Sequence, residues 1–175
     1  FSLTGSSIPA GENILLTTLS FDVNSSQESE ICLTEAIFSG LAGAGLYTTG
    51  PDCALYTPPP VELSLGEYNH LTNTIDLYAS SPYDIAGFQF NVDGTTLSSA
   101  SGGLSQDAGF TLSVGGSTVI GFSFSGTFIG AGSGMLTNLQ FSPSSNQACL
   151  NLCTGAFSNQ YSQPIPFEFG DCYEF

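Results

Sequence analysis

Hydrophobic and polar residues alternate with a period of two along much of the chain after residue 60. The alternation is clearest at 61–65 (VELSL), 74–78 (TIDLY) and 87–92 (GFQFNV), and the last run leads into Asp93-Gly94, a dipeptide that favours tight hairpin turns. Helical periodicity is missing, because Gly, Ser and Thr interrupt nearly every segment. Further strands are predicted at 110–114, 117–125 and 135–141. The pattern predicts an all-β fold, an antiparallel β-sandwich with one face of each strand buried.

The N-terminal segment of the chain repeats its C-terminal segment. The opening FSLTGSSIPAGENILLTTLSF is similar to FSFSGTFIGAGSGMLTNLQF, which begins at Phe122. The likeness continues as far as Cys53 and Cys172 at an offset of about 120 residues, which is the size of a module. The first copy has no front half. We therefore predict a half-module at 1–53 that needs complementing strands, and a complete sandwich module at 61–175.

A proline-rich segment separates the two copies. Residues 54–60 read ALYTPPP, and three consecutive prolines favour the extended polyproline II conformation. The segment is predicted to be a short, semi-rigid linker between the modules.

The charge of the chain is one-sided. Lys and Arg are absent, and the formal net charge is −15. Binding to nucleic acid or to an anionic membrane surface needs cations that this chain lacks. No apolar run has the length that spans a bilayer. The sequence therefore predicts neither nucleic-acid binding nor membrane insertion, and an acidic, Ser/Thr/Gly-rich surface suits extracellular material.

Four of the five cysteines recur at equivalent positions of the two copies. The repeat pairs Cys32 with Cys53 and Cys149 with Cys172, and each disulfide closes a loop of about 20 residues, worth about 3 kcal/mol. Disulfides indicate an oxidising compartment, so the chain is predicted to be secreted. Cys153 is left over, as a buried thiol, an alternative partner within the pair or an interchain link.

No residue is predicted to be catalytic, and the chain is predicted not to be an enzyme. His70 is the single histidine and lies between two predicted strands. The sequence has no nucleophile-elbow motif whose serine His70 could activate. Among the carboxylates no spacing singles out a glycosidase pair. No cofactor is predicted. Fifteen carboxylates without basic partners favour diffuse association with Ca²⁺, for which Asn91, Asp93 and the cluster Glu168, Asp171 and Glu174 offer oxygen ligands.

Two positions are candidates for covalent glycans. Asn24 opens the sequon Asn24-Ser25-Ser26 in a polar segment, and Thr57 lies beside the prolines of the linker. Aromatic residues could stack on sugars, but Trp is absent and most Phe residues occupy strand positions that predict core packing.

Residues 85–94 (IAGFQFNVDG), 119–124 (VIGFSF) and 130–141 (GAGSGMLTNLQF) resemble cohesin-like β-sandwich modules. The resemblance covers most of 61–175 and implies a jelly-roll, cohesin-like sandwich of the kind used in secreted scaffolds and surface repeats. The whole arrangement is also similar to extracellular fibrils that sandwich protomers build by donor-strand exchange.

The half-module suggests a function. Half a sandwich has open strand edges, which are completed either by residues upstream or by a strand from a neighbouring protomer. We therefore predict a structural subunit of an extracellular filament or surface array, with copies of itself as partners. The candidate assembly residues are Phe1, Leu3, Leu15, Leu19 and Phe21. The alternative is a cohesin-like binding module of a secreted scaffold, with a protein or polysaccharide ligand.

Overall fold

The structure is a computed structural model that describes residues 8, 16–20, 28–32, 38–39, 45–46 and 53–175. Two five-stranded sheets pack face to face, with strand orders β14-β12-β7-β10-β9 and β13-β5-β6-β11-β8, and two small sheets pair β1 with β4 and β2 with β3. In chain order the elements are β1 (Ser29–Cys32), β2 (Phe38–Ser39), β3 (Gly45–Leu46), β4 (Cys53–Tyr56), β5 (Val61–Asn69), β6 (Thr74–Ser81), β7 (Gly87–Asp93), β8 (Thr95–Ser101), α1 (Gly103–Asp107), β9 (Thr111–Gly115), β10 (Thr118–Phe122), β11 (Gly132–Pro143), β12 (Gln147–Ser158), β13 (Phe167–Phe169) and β14 (Tyr173–Glu174).

The alternating runs form the middle of both sheets. In β5, Val61 and Leu63 are buried whereas Glu62 is exposed, and in β7 the residues Phe88 and Phe90 are buried between half-buried polar neighbours. The alternation arises because successive side chains of a strand point to opposite faces, so one face of each sheet lines the core. The predicted all-β sandwich is confirmed.

Four details differ from the sequence prediction. The predicted strand at 117–125 ends at Phe122, and strands β1 to β4, β8, β12, β13 and β14 were not predicted. The single turn of α1 sits between β8 and β9, where buried Ser105 donates a hydrogen bond of 2.7 Å to the carbonyl of Leu136. The sandwich is not wholly antiparallel, because β13 runs parallel to β5.

Both disulfides are present in the structure. Cys32 and Cys53 are bonded directly across the antiparallel pair β1–β4, with their Cα atoms 4.0 Å apart. Cys149 and Cys172 bond at the end of the β12–β14 pairing, with a Cα separation of 4.4 Å. The same cross-strand bond therefore closes a short ladder in each copy of the repeat.

A second backbone feature also recurs in the two copies. In the N-terminal copy Phe38 pairs with Leu46 and Ser39 with Gly45. In the C-terminal copy Ser158 bridges to Pro164, and the N–H of Ile165 donates to the carbonyl of Phe157 at 2.9 Å. The two copies thus share local strand pairings as well as residues.

The predicted boundaries at 1–53, 54–60 and 61–175 stay predictions. Of the candidate assembly residues, Leu19 is 64% exposed and lies outside any strand. Phe1, Leu3, Leu15 and Phe21 lie outside the described residues.

Stacked phenylalanine rings fill the space between the two sheets. Phe88 of β7 stacks on Phe90, Phe110 and Phe157, with ring centroids 5.9 to 6.0 Å apart. The ring of Phe88 rests on Gly121 of the neighbouring strand β10, and a Cβ at position 121 would overlap that ring. The missing side chain is therefore what makes room for the central ring of the core.

We predict that Gly121→Ala lowers the free energy of unfolding by about 1–3 kcal/mol, because a methyl group forces the Phe88 ring out of a close-packed site. Urea denaturation monitored by circular dichroism measures the change. Gly115→Ala is the matched control, since Gly115 lies in β9 and a Cβ there meets no atom within 4 Å. Equal stability of the two variants would contradict this account of the core.

Candidate functional site

The outer side of the sheet β12-β7-β10-β9 presents rows of small, uncharged polar side chains. In one row Ser113 pairs with Ile120, Ile120 with Gln89, and Gln89 with Ala156. In the next row Thr118 pairs with Asn91, and Asn91 with Asn151. We call these residues the amide face: Gln89, Asn91, Ser113, Thr118, Ile120, Asn151 and Ala156. Its side chains point away from the core because they alternate with Phe88, Phe90 and Val119.

Hydrogen bonds fix the side chains of this face. The hydroxyl of Thr118 donates to Asn91 Oδ1 at 2.8 Å. The amide of Asn151 donates to the carboxylate of Asp93, which lies at the end of β7. Asp93 is the one carboxylate carried by β7, β9, β10 and β12. Ile120, 39% exposed, contributes an aliphatic surface at the centre of the face.

Strand β12 is irregular where it passes the amide face. Asn151 pairs with Asn91 and Ala156 with Gln89, so the four residues 152–155 lie opposite the single residue Phe90. A bulge of this kind bends a strand and often lies beside a binding site. Cys153 belongs to this segment, and its side chain lies outside the described set, so the three roles predicted for it stay open.

The opposite sheet carries an acidic groove. Glu168, Glu62, Ser80 and Ser133 form one row across β13, β5, β6 and β11. The groove along this row has a volume of about 430 Å³ and includes the exposed ring of Tyr78. The groove therefore carries the carboxylates Glu62 and Glu168, whereas the amide face consists mainly of amides and hydroxyls, with Asp93 at the end of β7 and Glu174 in the short outer strand β14.

His70 lies in a second hollow of about 560 Å³, at the end of the β5–β6 hairpin. It is exposed and packs edge-on against Tyr68 at 4.6 Å. The neighbouring polar groups are engaged, since Tyr68 donates to Asn73 Oδ1 at 2.8 Å and Asp76 accepts from Asn138 at 2.7 Å. Among the described residues no hydrogen bond joins His70 to a hydroxyl or a carboxylate, as a catalytic base would require.

Carboxylates suitable for a metal are dispersed. Glu168 lies in β13 and Glu174 in β14, which belong to different sheets, and Asp93 is already bonded to Asn151. Within the described part of the chain, the side chains close enough to share an ion are Glu30, Cys32 and Cys53, but both sulfurs are used by a disulfide. Diffuse Ca²⁺ association stays a prediction.

Of the two predicted glycan positions, one lies within the described residues. Thr57 is exposed in the linker, where a glycosyltransferase could reach it. Asn24 lies outside the described residues. In the described part, no helix has the length and hydrophobicity needed to cross a membrane.

Tyr83 connects the linker to the sandwich. Burial raises the pKa of Tyr83 to about 12, and the neighbouring phenol of Tyr56 at the end of β4 raises it as well. Its hydroxyl oxygen is buried and, among the described residues, has no hydrogen-bond partner of ordinary geometry. Pro58 is buried as well. The contact of Tyr83 with Tyr56 and the burial of Pro58 therefore hold the predicted linker against the protein.

The sequence placed Gln89 and Asn91 in an alternating strand and offered Asn91 as an oxygen ligand for Ca²⁺, but it did not indicate a shared face. The signal that marks the amide face was present in the choice of residue, since β7, β9, β10 and β12 have amides and hydroxyls where β5 and β13 have glutamates. The order of the strands, which brings these residues together, could not be inferred from the chain alone.

Comparison with known proteins gives matches of structure only. No protein-family model and no curated protein matches the sequence. The fold is similar to a non-cellulosomal cohesin of Archaeoglobus fulgidus, with 13% identity, 63% of this chain and 86% of that chain covered, and a TM-score of 0.47. It is also similar to the sixth cohesin of Acetivibrio cellulolyticus scaffoldin B, solved in complex with a Cel5 dockerin. The identity is 14%, 64% of this chain and 95% of that chain are covered, and the TM-score is 0.47. The fold is also similar to a type I cohesin–dockerin complex from Clostridium thermocellum, with 12% identity, 63% of this chain and 89% of that chain covered, and a TM-score of 0.46.

The partner in two of these structures is a dockerin, not a second cohesin. On this comparison the prediction that the partners of this chain are copies of itself is wrong. The edge argument behind it concerned 1–53, most of which lies outside the described residues.

We predict that Tyr83→Phe flattens the loss of stability at high pH. The folded pKa of about 12 lies above the ordinary value of 10, so unfolding releases a proton between these values and wild-type stability falls as pH rises from 10 towards 12. At pH 7 the free energy of unfolding of the variant equals that of wild type or exceeds it by about 1 kcal/mol, because a buried hydroxyl without a partner is removed. Urea denaturation at pH 7, 10 and 11.5 measures both effects.

Tyr161→Phe is the control, because Tyr161 is exposed and its removal should leave the pH dependence unchanged. The same slope for wild type and Tyr83→Phe above pH 10 would contradict the prediction.

Proposed function

We propose that this chain is a non-enzymatic, extracellular binding module that docks a protein partner on the amide face. The observation that carries the proposal is the contrast between the two sheets. In a chain with a net charge of −15, the four strands of the amide face present amides, hydroxyls and Ile120, and their single carboxylate is Asp93 at the end of β7. Depletion of charge around a central apolar residue is the composition of an interface core.

The shape of the amide face favours a protein over a small ligand. Small molecules bind in concave sites, and the grooves at Glu62 and at His70 lie on the other sheet. The outward face of a sheet, by contrast, can pack against a second sheet or against helices of another protein. The hydrogen bonds of Thr118 and Asn151 hold the face in one arrangement, which lowers the entropy lost when a partner binds.

The charge of the chain restricts the partner. The protein has no Lys or Arg with which to pair an acidic surface, and its net charge repels one. The partner is therefore expected to present a neutral or basic surface. Because two copies of this chain repel each other through their net charge, the proposed complex is a heterocomplex.

The remaining features support an extracellular scaffold. Two cross-strand disulfides fit an oxidising compartment. The same disulfide ladder in both copies, joined by a proline-rich linker, is what modules placed in series would show. A linker seated by Tyr56 and Pro58 would set the distance between neighbouring modules.

Binding measurements with immobilised protein test this proposal. We predict that Ile120→Asp weakens the affinity for the partner by about tenfold or more, because it places a charge at the centre of a desolvated interface. The probes are purified dockerins and each protein retained from the extracellular fraction of the source, then purified and titrated by biolayer interferometry. Tyr78→Ser, on the opposite sheet, should bind as wild type does.

The proposal fails if no purified protein binds the wild type. It fails equally if Tyr78→Ser abolishes binding while Ile120→Asp retains it. Circular dichroism and thermal denaturation of both variants establish that each is folded, which is expected because both side chains are exposed.

A further inference from the structure

Three large aromatic side chains are exposed at the Gly87 end of the amide-face sheet. Phe124 is 84% exposed, Tyr161 is 74% exposed, and Phe128 is 43% exposed. The sequence predicted that most phenylalanines serve the core, so these residues need another explanation. Single exposed aromatics are ordinary, but several at one end of a sheet indicate a binding surface.

The topology brings the loops that carry them to the same end of the sheet. Strands β10 and β12 lie on either side of β7 and both run antiparallel to it. Both strands end beside Gly87, which pairs with Phe122 of β10 and with Ser158 of β12. The loops 123–131 and 159–166 therefore leave the sheet together, one strand's width to each side of β7. We call the exposed surface of these two loops, with Gly87 between them, the aromatic rim.

Gly87 is the first residue of β7 and lies between the starts of the two loops. It has no side chain, while its paired neighbours Phe122 and Ser158 do. A Cβ at position 87 would approach Ser158 Oγ to 3.3 Å, which is tighter than ordinary van der Waals contact. The Ser158 hydroxyl therefore lies beside Gly87 and places a polar group between the two loops.

Hydrogen bonds hold the backbone of each loop in place. In the first loop the N–H of Thr127 donates to Ser123 Oγ at 3.2 Å, and the Thr127 hydroxyl donates to the carbonyl of Ala108 at 2.7 Å. The Phe124 ring packs edge-on against Phe122 at 4.8 Å. In the second loop Asn159 Oδ1 accepts from the N–H groups of Tyr161 and Gln163 at 2.9 and 3.0 Å. Loops ordered in advance lose little entropy on binding.

The chemistry of the rim is that of a neutral, hydroxyl-rich ligand. Residues 123–131 (SFSGTFIGA) and 159–166 (NQYSQPIP) contain no Asp, Glu, Lys, Arg or His. They offer flat aromatic surfaces together with the amides of Gln160 and Gln163 and several hydroxyls. Aromatic rings stack on the C–H faces of sugars, while amides and hydroxyls bond to sugar hydroxyl groups. An acidic sugar would find no cation here and would be repelled by the net charge.

We propose that the aromatic rim binds a neutral polysaccharide, which lies across Gly87 between Phe124 and Tyr161. The site is separate from the protein-docking role of the amide face, although the two are neighbours. It would hold the module on a glycan surface while the face engages its protein partner.

Affinity gel electrophoresis tests this site directly. Hydroxyethyl cellulose, soluble starch and galactomannan are the neutral probes, and alginate is the acidic one. We expect wild-type protein to be retarded by at least one neutral polymer and not by alginate. Phe124→Ala and Tyr161→Ala should each weaken the association constant by about fivefold or more, since each removes one stacking surface. Tyr78→Ala, an exposed aromatic on the opposite sheet, is the matched control.

Each other outcome overturns the inference. Retardation by none of the neutral polymers, or equal retardation of wild type and both rim variants, excludes the site. Binding of wild type to neutral phosphatidylcholine vesicles, lost in Phe124→Ala, would make the rim a membrane contact instead. Ile120→Asp separates the two proposals, because it should abolish protein binding and leave the retardation unchanged.

Discussion

The protein has to fold without a single lysine or arginine. Its carboxylates have no basic side chain to pair with except His70, so they either face water or accept hydrogen bonds from neutral donors. The structure uses both solutions. Asp76 accepts from Asn138, Asp93 from Asn151, and Asp84 from the N–H of Ala131 at 3.0 Å. These bonds hold strands and loops together without burying a charge, which would cost several kcal/mol per ion in a protein interior.

This constraint leaves stability to the core and to the disulfides. The core is a stack of phenylalanines between two sheets, and Phe88 reaches its centre because Gly121 supplies the space. The disulfides lie where short strands join the structure, at β1–β4 and β12–β14. A ladder of two to four residue pairs is marginal in water by itself. Bonding its two strands covalently restricts the unfolded chain and keeps the short ladder formed.

The sequence was informative where one residue decides one position. Alternation located β5, β6 and β7 because each has a buried and an exposed face, and the repeated cysteines gave both disulfides. It failed for β8, whose serine-rich sequence resembles a loop although Thr95 and Leu97 are buried, and for β12, whose extra residues break the period of two. The run GFSF beginning at Gly121 shows the limit most clearly. Its alternation suggested inward phenylalanines, but Gly121 points inward because the Phe88 ring occupies that space, and Phe122 and Phe124 consequently face outward.

The inward position of Gly121 also determines which residues of β10 lie on the surface. Because Gly121 is the inward residue of β10, the outward residues are Ile120 and Phe122, and Phe124 follows in the loop with its ring against Phe122. One strand therefore carries apolar side chains from the centre of the amide face to the aromatic rim. A protein partner that covers Ile120 would extend towards Phe122, whereas a glycan at the rim would reach Phe122 from the other side. The two proposed ligands would therefore meet at Phe122, which faces outward because Gly121 makes room for the Phe88 ring in the core.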